Sequence, residues 1–155
     1  MTPKSETTRP IPRAALVAVL ACATLSGAAG LGYEVLWSRL LVLPLGNSAD
    51  ATALVLASFM LGMALGARAI GRVVDRLRSP LLAYAVAEAI LGAVALAMPF
   101  AVGALFDAPA LRGELGDDAG AALGRYVTAA LLVGLPAALM GATIPALVRG
   151  LTAAA

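Results

Sequence analysis

The sequence predicts an all-α fold, a polytopic membrane helix bundle with about four transmembrane helices. Hydrophobic residues make up 61% of the 155 positions, whereas charged residues make up only 13%, about half their share in an average soluble domain. The apolar residues are also gathered into four long runs separated by short polar segments. A soluble domain of this length must cover its surface with polar groups, and this chain has too few of them.

The first predicted span is the longest. Residues 1–13 are polar and rich in proline, which is typical of a short cytoplasmic tail, and the apolar run 14–43 follows. At ~1.5 Å per residue a helix over this run would reach about 45 Å, against about 30 Å of hydrocarbon. We therefore predict a kinked or tilted helix, with a bend favoured by three glycines in mid-run, Gly27, Gly30 and Gly32.

A cleaved signal peptide is an alternative interpretation of this start. A basic segment, an apolar stretch and the small residues Ser26, Gly27 and Ala28 resemble a leader with its cleavage site. The apolar run continues beyond that site, however, and the three later spans require no leader. We therefore favour a retained first helix.

The later elements follow from the same alternation of apolar runs and polar breaks. The segment 44–48 contains proline, glycine and asparagine and is predicted to be a turn. The remaining boundaries are a second transmembrane helix over 51–71, a cytoplasmic loop over 72–80, a third helix over 81–106, a Gly-rich acidic periplasmic loop over 107–124 and a fourth helix over 125–148.

The basic residues predict the orientation. With the N-terminus inside, only Arg112 and Arg125 fall on the outer side. Because cytoplasmic loops carry an excess of Lys and Arg, the protein is predicted to lie in a bacterial-type inner (plasma) membrane with both termini cytoplasmic. The inner side holds Lys4, Arg9, Arg13, Arg68, Arg72, Arg76, Arg78 and Arg149.

Composition excludes several kinds of chemistry. The chain has no histidine and a single cysteine, Cys22, so it has no His-based triad, His-ligated metal or intrachain disulfide. No Gly-rich phosphate loop follows a strand pattern. We therefore expect no metal site, no cofactor and no catalytic constellation. The net charge of +2 is accounted for by topology, and no nucleic-acid partner is expected.

Small residues at helical spacing predict where helices touch. Membrane helices associate closely where Gly, Ala and Ser replace larger side chains. One such stripe, in the second span, is Ser58, Gly62 and Gly66, and the fourth span carries another, Gly134, Ala138 and the neighbouring Gly141. We favour packing within one chain, with a homo-oligomer interface as the alternative.

Three ionisable residues lie within predicted spans, namely Glu34, Arg39 and Glu88. Each is costly in hydrocarbon and should face the bundle interior, water or a partner. Glu34 and Arg39 are five positions apart, about 140° around a helix, and do not form an ideal local pair. A cation or polyamine site, a proton relay and a purely structural contact remain open for both carboxylates.

The stretch 26–41 follows the pattern SGxxxLxYExxWxRLL. With it, the chain resembles membrane-bound proteins in which a transporter-like helical region is fused to a spermidine synthase-like domain. Four further stretches resemble the same family, namely 45–47, 59–66, 71–76 and 135–145. Such fusions continue with further helices and an aminopropyltransferase domain, whose donor and polyamine sites this chain lacks.

The stretch Gly71-Arg72-Val73-Val74-Asp75-Arg76 is also similar to the loop between the second and third helices of major facilitator transporters. In those proteins an Asp and Arg pair helps lock one gate state. The resemblance therefore implies a gating loop with Gly71, Arg72, Asp75 and Arg76 as its candidate residues.

These resemblances imply a membrane module that anchors a synthase-like catalytic domain or supplies it with polyamine-related substrate. The alternatives are a fragment or subunit of a major-facilitator-like transporter and a structural membrane protein. Expected partners are the bilayer, a synthase-like domain or further helices, and a second copy of the chain. Tyr33 and Trp37 could hold an alkylammonium group beside Glu34, so we expect Glu34 to matter more than Glu88.

Overall fold

The computed structural model describes residues 12–46, 48–112 and 118–153, which form an all-α bundle without any strand in that part of the chain. Four of the five helices there are long and apolar enough to cross a membrane. The helices are α1 (Arg13–Leu45), α2 (Ser48–Gly71), α3 (Pro80–Phe106), the short α4 (Pro109–Arg112) and α5 (Asp118–Ala153).

Helix α1 runs through its three glycines without interruption. Its 33 residues correspond to about 50 Å at ~1.5 Å per residue, so the helix must tilt or extend beyond the hydrocarbon layer. Gly30 faces α5, where the terminal methyl group of Met140 lies in the space that a β-carbon would occupy. Gly27 and Gly32 have open space around them.

The connection between α1 and α2 is shorter than the predicted 44–48 turn. Helix α1 continues through Pro44 and ends at Gly46, which has a φ of 76° and donates its N–H to the carbonyl of Val42 at 2.8 Å. A left-handed glycine of this kind commonly terminates a helix. Proline is tolerated here because it removes only one hydrogen bond in the last turn. Helix α2 then begins at Ser48, three residues before the predicted start.

The predicted loop over 107–124 is also partly helical. It contains α4, and α5 begins at Asp118, seven residues before the predicted start of the fourth span. Helix α4 packs on this extension, since Arg125 donates to the carbonyl of Leu111 at 2.7 Å and Leu111 lies against Gly124. The alanines of this segment favour a helix, and the contact with α4 supplies packing that a sequence window does not show.

The connection between α2 and α3, predicted as a loop over 72–80, holds a single 3-10 turn over Val74–Arg76. Val74 is buried against the bundle, whereas the neighbouring side chains are exposed. Helix α3 begins at Pro80, where a proline costs no hydrogen bond because the first N–H groups of a helix lack intrahelical partners.

Helices α2 and α5 pack against each other along their small-residue stripes. A β-carbon on Gly62 would lie 2.5 Å from the carbonyl oxygen of Gly134 and one on Gly66 would overlap the carbonyl of Ala138. Gly141 is pressed in the same way against the backbone of Met63. The backbones of the two helices are therefore in contact. The helices run parallel, because the start of α2 meets α5 near Tyr126 and the connection after α2 meets α5 at Arg149.

The apolar core lies toward the end of the bundle where α1 meets α2. Trp37 and Leu41 of α1 are almost fully buried there, together with Val55, Met98 and Val133 from the other three long helices. Helices α1 and α3 run parallel, because the order of their contacting residues is the same in both. Helix α5 contacts every other helix of the described bundle.

Replacing Gly66 by leucine tests the contact between α2 and α5. The new side chain would collide with the α5 backbone, which cannot move aside as a side-chain tip can, so we expect the free energy of unfolding to fall by about 1–3 kcal/mol. Reversible unfolding in mild detergent measures the change. The matched control is Gly103→Leu in α3, where a β-carbon meets nothing within 4 Å. Equal destabilisation by both substitutions would contradict the packing described here.

Candidate functional site

Helices α1 and α3 bring two polar side chains together inside the bundle. Ser26 donates a hydrogen bond from its hydroxyl to the Oε2 atom of Glu88 at 2.6 Å. Both residues are half-buried, and they are 62 positions apart in the sequence. Glu88 lies about 12 Å along α3 from Pro80 at ~1.5 Å per residue, so the contact is well inside the helix. The carboxylate predicted in the third span therefore has a defined partner.

Tyr84 lies one helical turn before Glu88 on the same face of α3. Its side chain is 8% exposed, and its hydroxyl oxygen is buried without a hydrogen-bond partner among the described residues. Tyr84 and Glu88 line the same cavity, but the hydroxyl does not meet the geometry of a hydrogen bond to the carboxylate. A buried hydroxyl left without a hydrogen bond is unfavourable, typically by about 1–3 kcal/mol. This group is thus a polar atom that a further partner would satisfy.

These side chains line a cavity of about 360 Å³. All four long helices contribute to its wall, with Gly30 from α1, Phe59 from α2 and Met140 from α5 among the apolar lining residues. Apart from Ser26, Tyr84 and Glu88, the polar lining consists of Thr143, whose hydroxyl donates to the carbonyl of Met140 at 2.7 Å. No Lys or Arg of the described part of the chain lines the cavity.

A second cavity of about 100 Å³ shares the contact between Ser26 and Glu88. It extends to Tyr33 on α1 and Gly92 on α3, and Met140 also belongs to both linings. The polar contact between α1 and α3 thus borders open space in two cavities. The bundle is less tightly filled here than along the interface between α2 and α5.

The other candidate ligand residues occupy different places. Tyr33 and Trp37 stack on each other with ring centroids 5.7 Å apart and planes at 9°. Trp37 also packs edge-on against Phe59, at 6.4 Å and 63°, and is only 2% exposed. Since its faces contact other side chains of the core, Trp37 contributes to packing rather than lining either of these cavities.

Glu34 lines neither cavity, although it is half-buried. Arg39 is exposed, and the described side chains offer neither residue an ion pair or hydrogen bond. The structure therefore brings Glu88 together with Ser26 and Tyr84, and leaves Glu34 and Arg39 outside that group. This geometry makes Glu88, and not Glu34, the stronger candidate for binding.

Among the described residues, the candidate gating loop makes one charged contact with the rest of the bundle. Asp75 forms an ion pair with Arg149, at 2.8 Å between Oδ1 and Nε, and links the connection after α2 to the last turns of α5. Gly71 ends α2, and Arg72 and Arg76 are exposed. Sequence reasoning used Arg149 only for orientation and missed it as the partner of Asp75.

The opposite end of the bundle has a polar contact of its own. Tyr126 of α5 donates to a carboxylate oxygen of Asp50 at the start of α2, at 3.1 Å. This hydrogen bond and the ion pair between Asp75 and Arg149 thus lie at opposite ends of the tightly packed helices α2 and α5. Neither contact could be read from the spacing of residues in one helix.

The described residues contain no group of three or more acidic or cysteine side chains that could hold a metal ion. Cys22 is exposed and does not belong to either cavity.

Neither models of protein families, nor curated proteins, nor solved structures match this chain.

The ion pair between Asp75 and Arg149 should contribute little to stability. Their side chains are 77% and 44% exposed, and pairs of this kind are typically worth about 0.2–1 kcal/mol. A double-mutant cycle with Asp75→Asn and Arg149→Gln, followed by unfolding in detergent, should give a coupling energy in that range that decreases as salt is added. A much larger, salt-independent coupling would mean that the pair is shielded from water.

Proposed function

We propose that this chain is the membrane module of a spermidine synthase-like protein. In this role it anchors a catalytic domain at the membrane or supplies that domain with polyamine-related substrate. The observation that supports the proposal most directly is the position of the residues that carry the family resemblance. They include the side chains by which α1 is joined to the rest of the bundle.

The distinctive residues of the stretch 26–41 make these contacts in order along α1. Ser26 holds Glu88, Tyr33 stacks on Trp37, and Trp37 and Leu41 are buried in the core. A pattern that serves only to cross a membrane needs apolar residues and no particular side chain at these positions. The identity of the residues is thus tied to a specific bundle, as expected if the resemblance reflects a common architecture.

A search for the catalytic domain tests the anchoring role. The tagged chain, extracted from its native membrane in mild detergent, should carry aminopropyltransferase activity and a synthase-like polypeptide through affinity and size-exclusion steps. A four-span membrane protein of similar size and no such resemblance, tagged and purified in parallel, is the control. Activity that remains in the soluble fraction, with none on the tagged chain, would contradict this role.

The proposal includes a defined topology, with the protein in a bacterial-type inner membrane and both ends in the cytoplasm. The excess of Lys and Arg near residue 13, in the loop after α2 and at Arg149 supports this orientation. Asp75 and Arg149 lie at the same end of the bundle, so the loop after α2 and the end of α5 share one side of the membrane in this proposal.

Reporter fusions test this topology. Fusions after Arg78 and after Ala155 should show cytoplasmic reporter activity, whereas fusions at Ser48 and Gly116 should show periplasmic activity. The expected orientation follows from the bias of eight basic residues on the inner side against two on the outer side. A periplasmic signal after Arg78 would overturn the orientation.

A second candidate function is that of a subunit or fragment of a major-facilitator-like small-molecule transporter. The ion pair between Asp75 and Arg149 supports it, because one of the candidate gating residues makes a charged contact with α5, although its partner is not an arginine of the loop. Four spans are few for an alternating-access carrier, so this function requires a second copy or further helices. Uptake of spermidine into proteoliposomes that contain only this chain would support it over the anchoring role.

A further inference from the structure

We infer that the cavity of about 360 Å³ beside Glu88 is a binding site for an amphiphilic monoamine, a molecule with one alkylammonium group and a hydrocarbon tail. This inference goes beyond the proposed function and does not depend on it, since a module that only anchors another domain needs no such site. It rests on three features, which are the lone carboxylate, the unsatisfied phenol beside it and the apolar wall around both.

The carboxylate of Glu88 lacks a basic partner. Its only hydrogen bond among the described residues is the one from Ser26, a neutral donor, and no Lys or Arg lines the cavity. Ionisable groups inside a membrane protein are costly unless they are paired, and they commonly mark a ligand or ion pathway. An ammonium group in the cavity would supply the missing positive charge.

Three side chains with acceptor atoms line the cavity, namely Tyr84, Glu88 and Thr143. Ser26 donates to Oε2 of Glu88, which leaves the Oε1 atom available as an acceptor. The oxygen of Tyr84 is buried without a hydrogen bond, and the hydroxyl of Thr143 lines the same cavity. A primary ammonium has three N–H donors and no acceptor. The three N–H donors of the ammonium therefore match these acceptors in number. Among the hydroxyl groups of the described cavity lining, only that of Tyr84 lacks a hydrogen-bond partner.

The remaining wall indicates what is attached to the ammonium group. Most of the lining is hydrocarbon, including Leu31, Phe59, Met63, Ile144 and Leu147. Cavities of about 300–1,000 Å³ with apolar walls and a few fixed polar groups are typical of small-molecule sites. A short alkyl or aryl tail would be buried against these side chains, and burial of apolar surface contributes to affinity.

The single carboxylate excludes polyamines as preferred ligands. Spermidine carries three positive charges near neutral pH, and only one of them could pair with Glu88. The others would be taken out of water against apolar side chains, which is strongly unfavourable for an unpaired charge. A monoamine avoids this cost, so the site should select against the polycations that the family resemblance implies.

Calorimetry on the full chain in nanodiscs of zwitterionic lipid tests the inference, with empty nanodiscs as the blank. The probes are hexylamine, which is cationic at neutral pH, hexanol as its uncharged match, and spermidine. Hexylamine should bind in excess of the blank, and hexanol and spermidine should bind at least about tenfold more weakly. Glu88→Gln should weaken hexylamine binding by about 10- to 100-fold, as expected for loss of a charge-assisted hydrogen bond.

Two further carboxylate variants complete the test. Glu88→Asp keeps the charge and should retain more affinity than Glu88→Gln. Glu34→Gln changes the carboxylate that lines neither cavity and should leave hexylamine binding within about twofold of the wild type. If Glu88→Gln does not fold, Tyr84→Phe, which deletes only the buried hydroxyl, should still weaken hexylamine binding severalfold.

Several results would overturn the inference. They are hexylamine heats equal to those of empty nanodiscs, equal affinity for hexanol, tighter binding of spermidine than of hexylamine, and an equal loss in Glu34→Gln and Glu88→Gln. Tighter binding of spermidine would contradict the monoamine site while supporting the supply role proposed above. Absence of a synthase-like partner would leave the hexylamine result unaffected, so the two proposals can fail separately.

Discussion

The backbone contact between α2 and α5 is the constraint on which the rest of the structure depends. Gly62, Gly66 and Gly141 allow the two helices to approach until one backbone touches the other. In a membrane there is no hydrophobic force to bring helices together, so close van der Waals contact of this kind is a main source of association. Because α5 also contacts α1 and α3, the position of this pair determines where the other spans lie.

The cavity lies where this close packing is absent. Where α1, α3 and α5 meet, the larger side chains of Tyr84 and Met140 line open space, and a polar contact from Ser26 to Glu88 joins α1 to α3. The close packing of α2 against α5 and the cavity beside Glu88 therefore occupy different parts of the bundle. Rigid contact on one side of α5 leaves the other side free to carry a cavity with polar residues at defined positions.

Much of the fold could be predicted from sequence, because spans and packing stripes are periodic and local. The four apolar runs and the stripes containing Gly62 and Gly134 are visible in single windows. The contacts from Ser26 to Glu88 and from Asp75 to Arg149 are not, because each joins residues from distant windows. Periodicity shows which face of a helix a residue occupies, and does not show which helix that face meets. The helical extension before residue 125 was missed for a similar reason, since it depends on contact with α4.

The two intramembrane glutamates illustrate the difference between a local motif and a site. Glu34 lies in the most family-like stretch, beside two aromatic residues, and sequence reasoning therefore ranked it first. In the structure Trp37 is part of the core, and Glu34 lines neither cavity. Glu88 has an unremarkable sequence context, yet it meets Ser26 across the bundle and lies next to a buried phenol. A helix that only anchors a domain would be more stable with a leucine at position 88, because a charge inside the membrane is costly. The carboxylate of Glu88 has no basic partner among the described residues and lies beside an apolar cavity. A simple anchor does not explain this arrangement, whereas a site for a cationic ligand does.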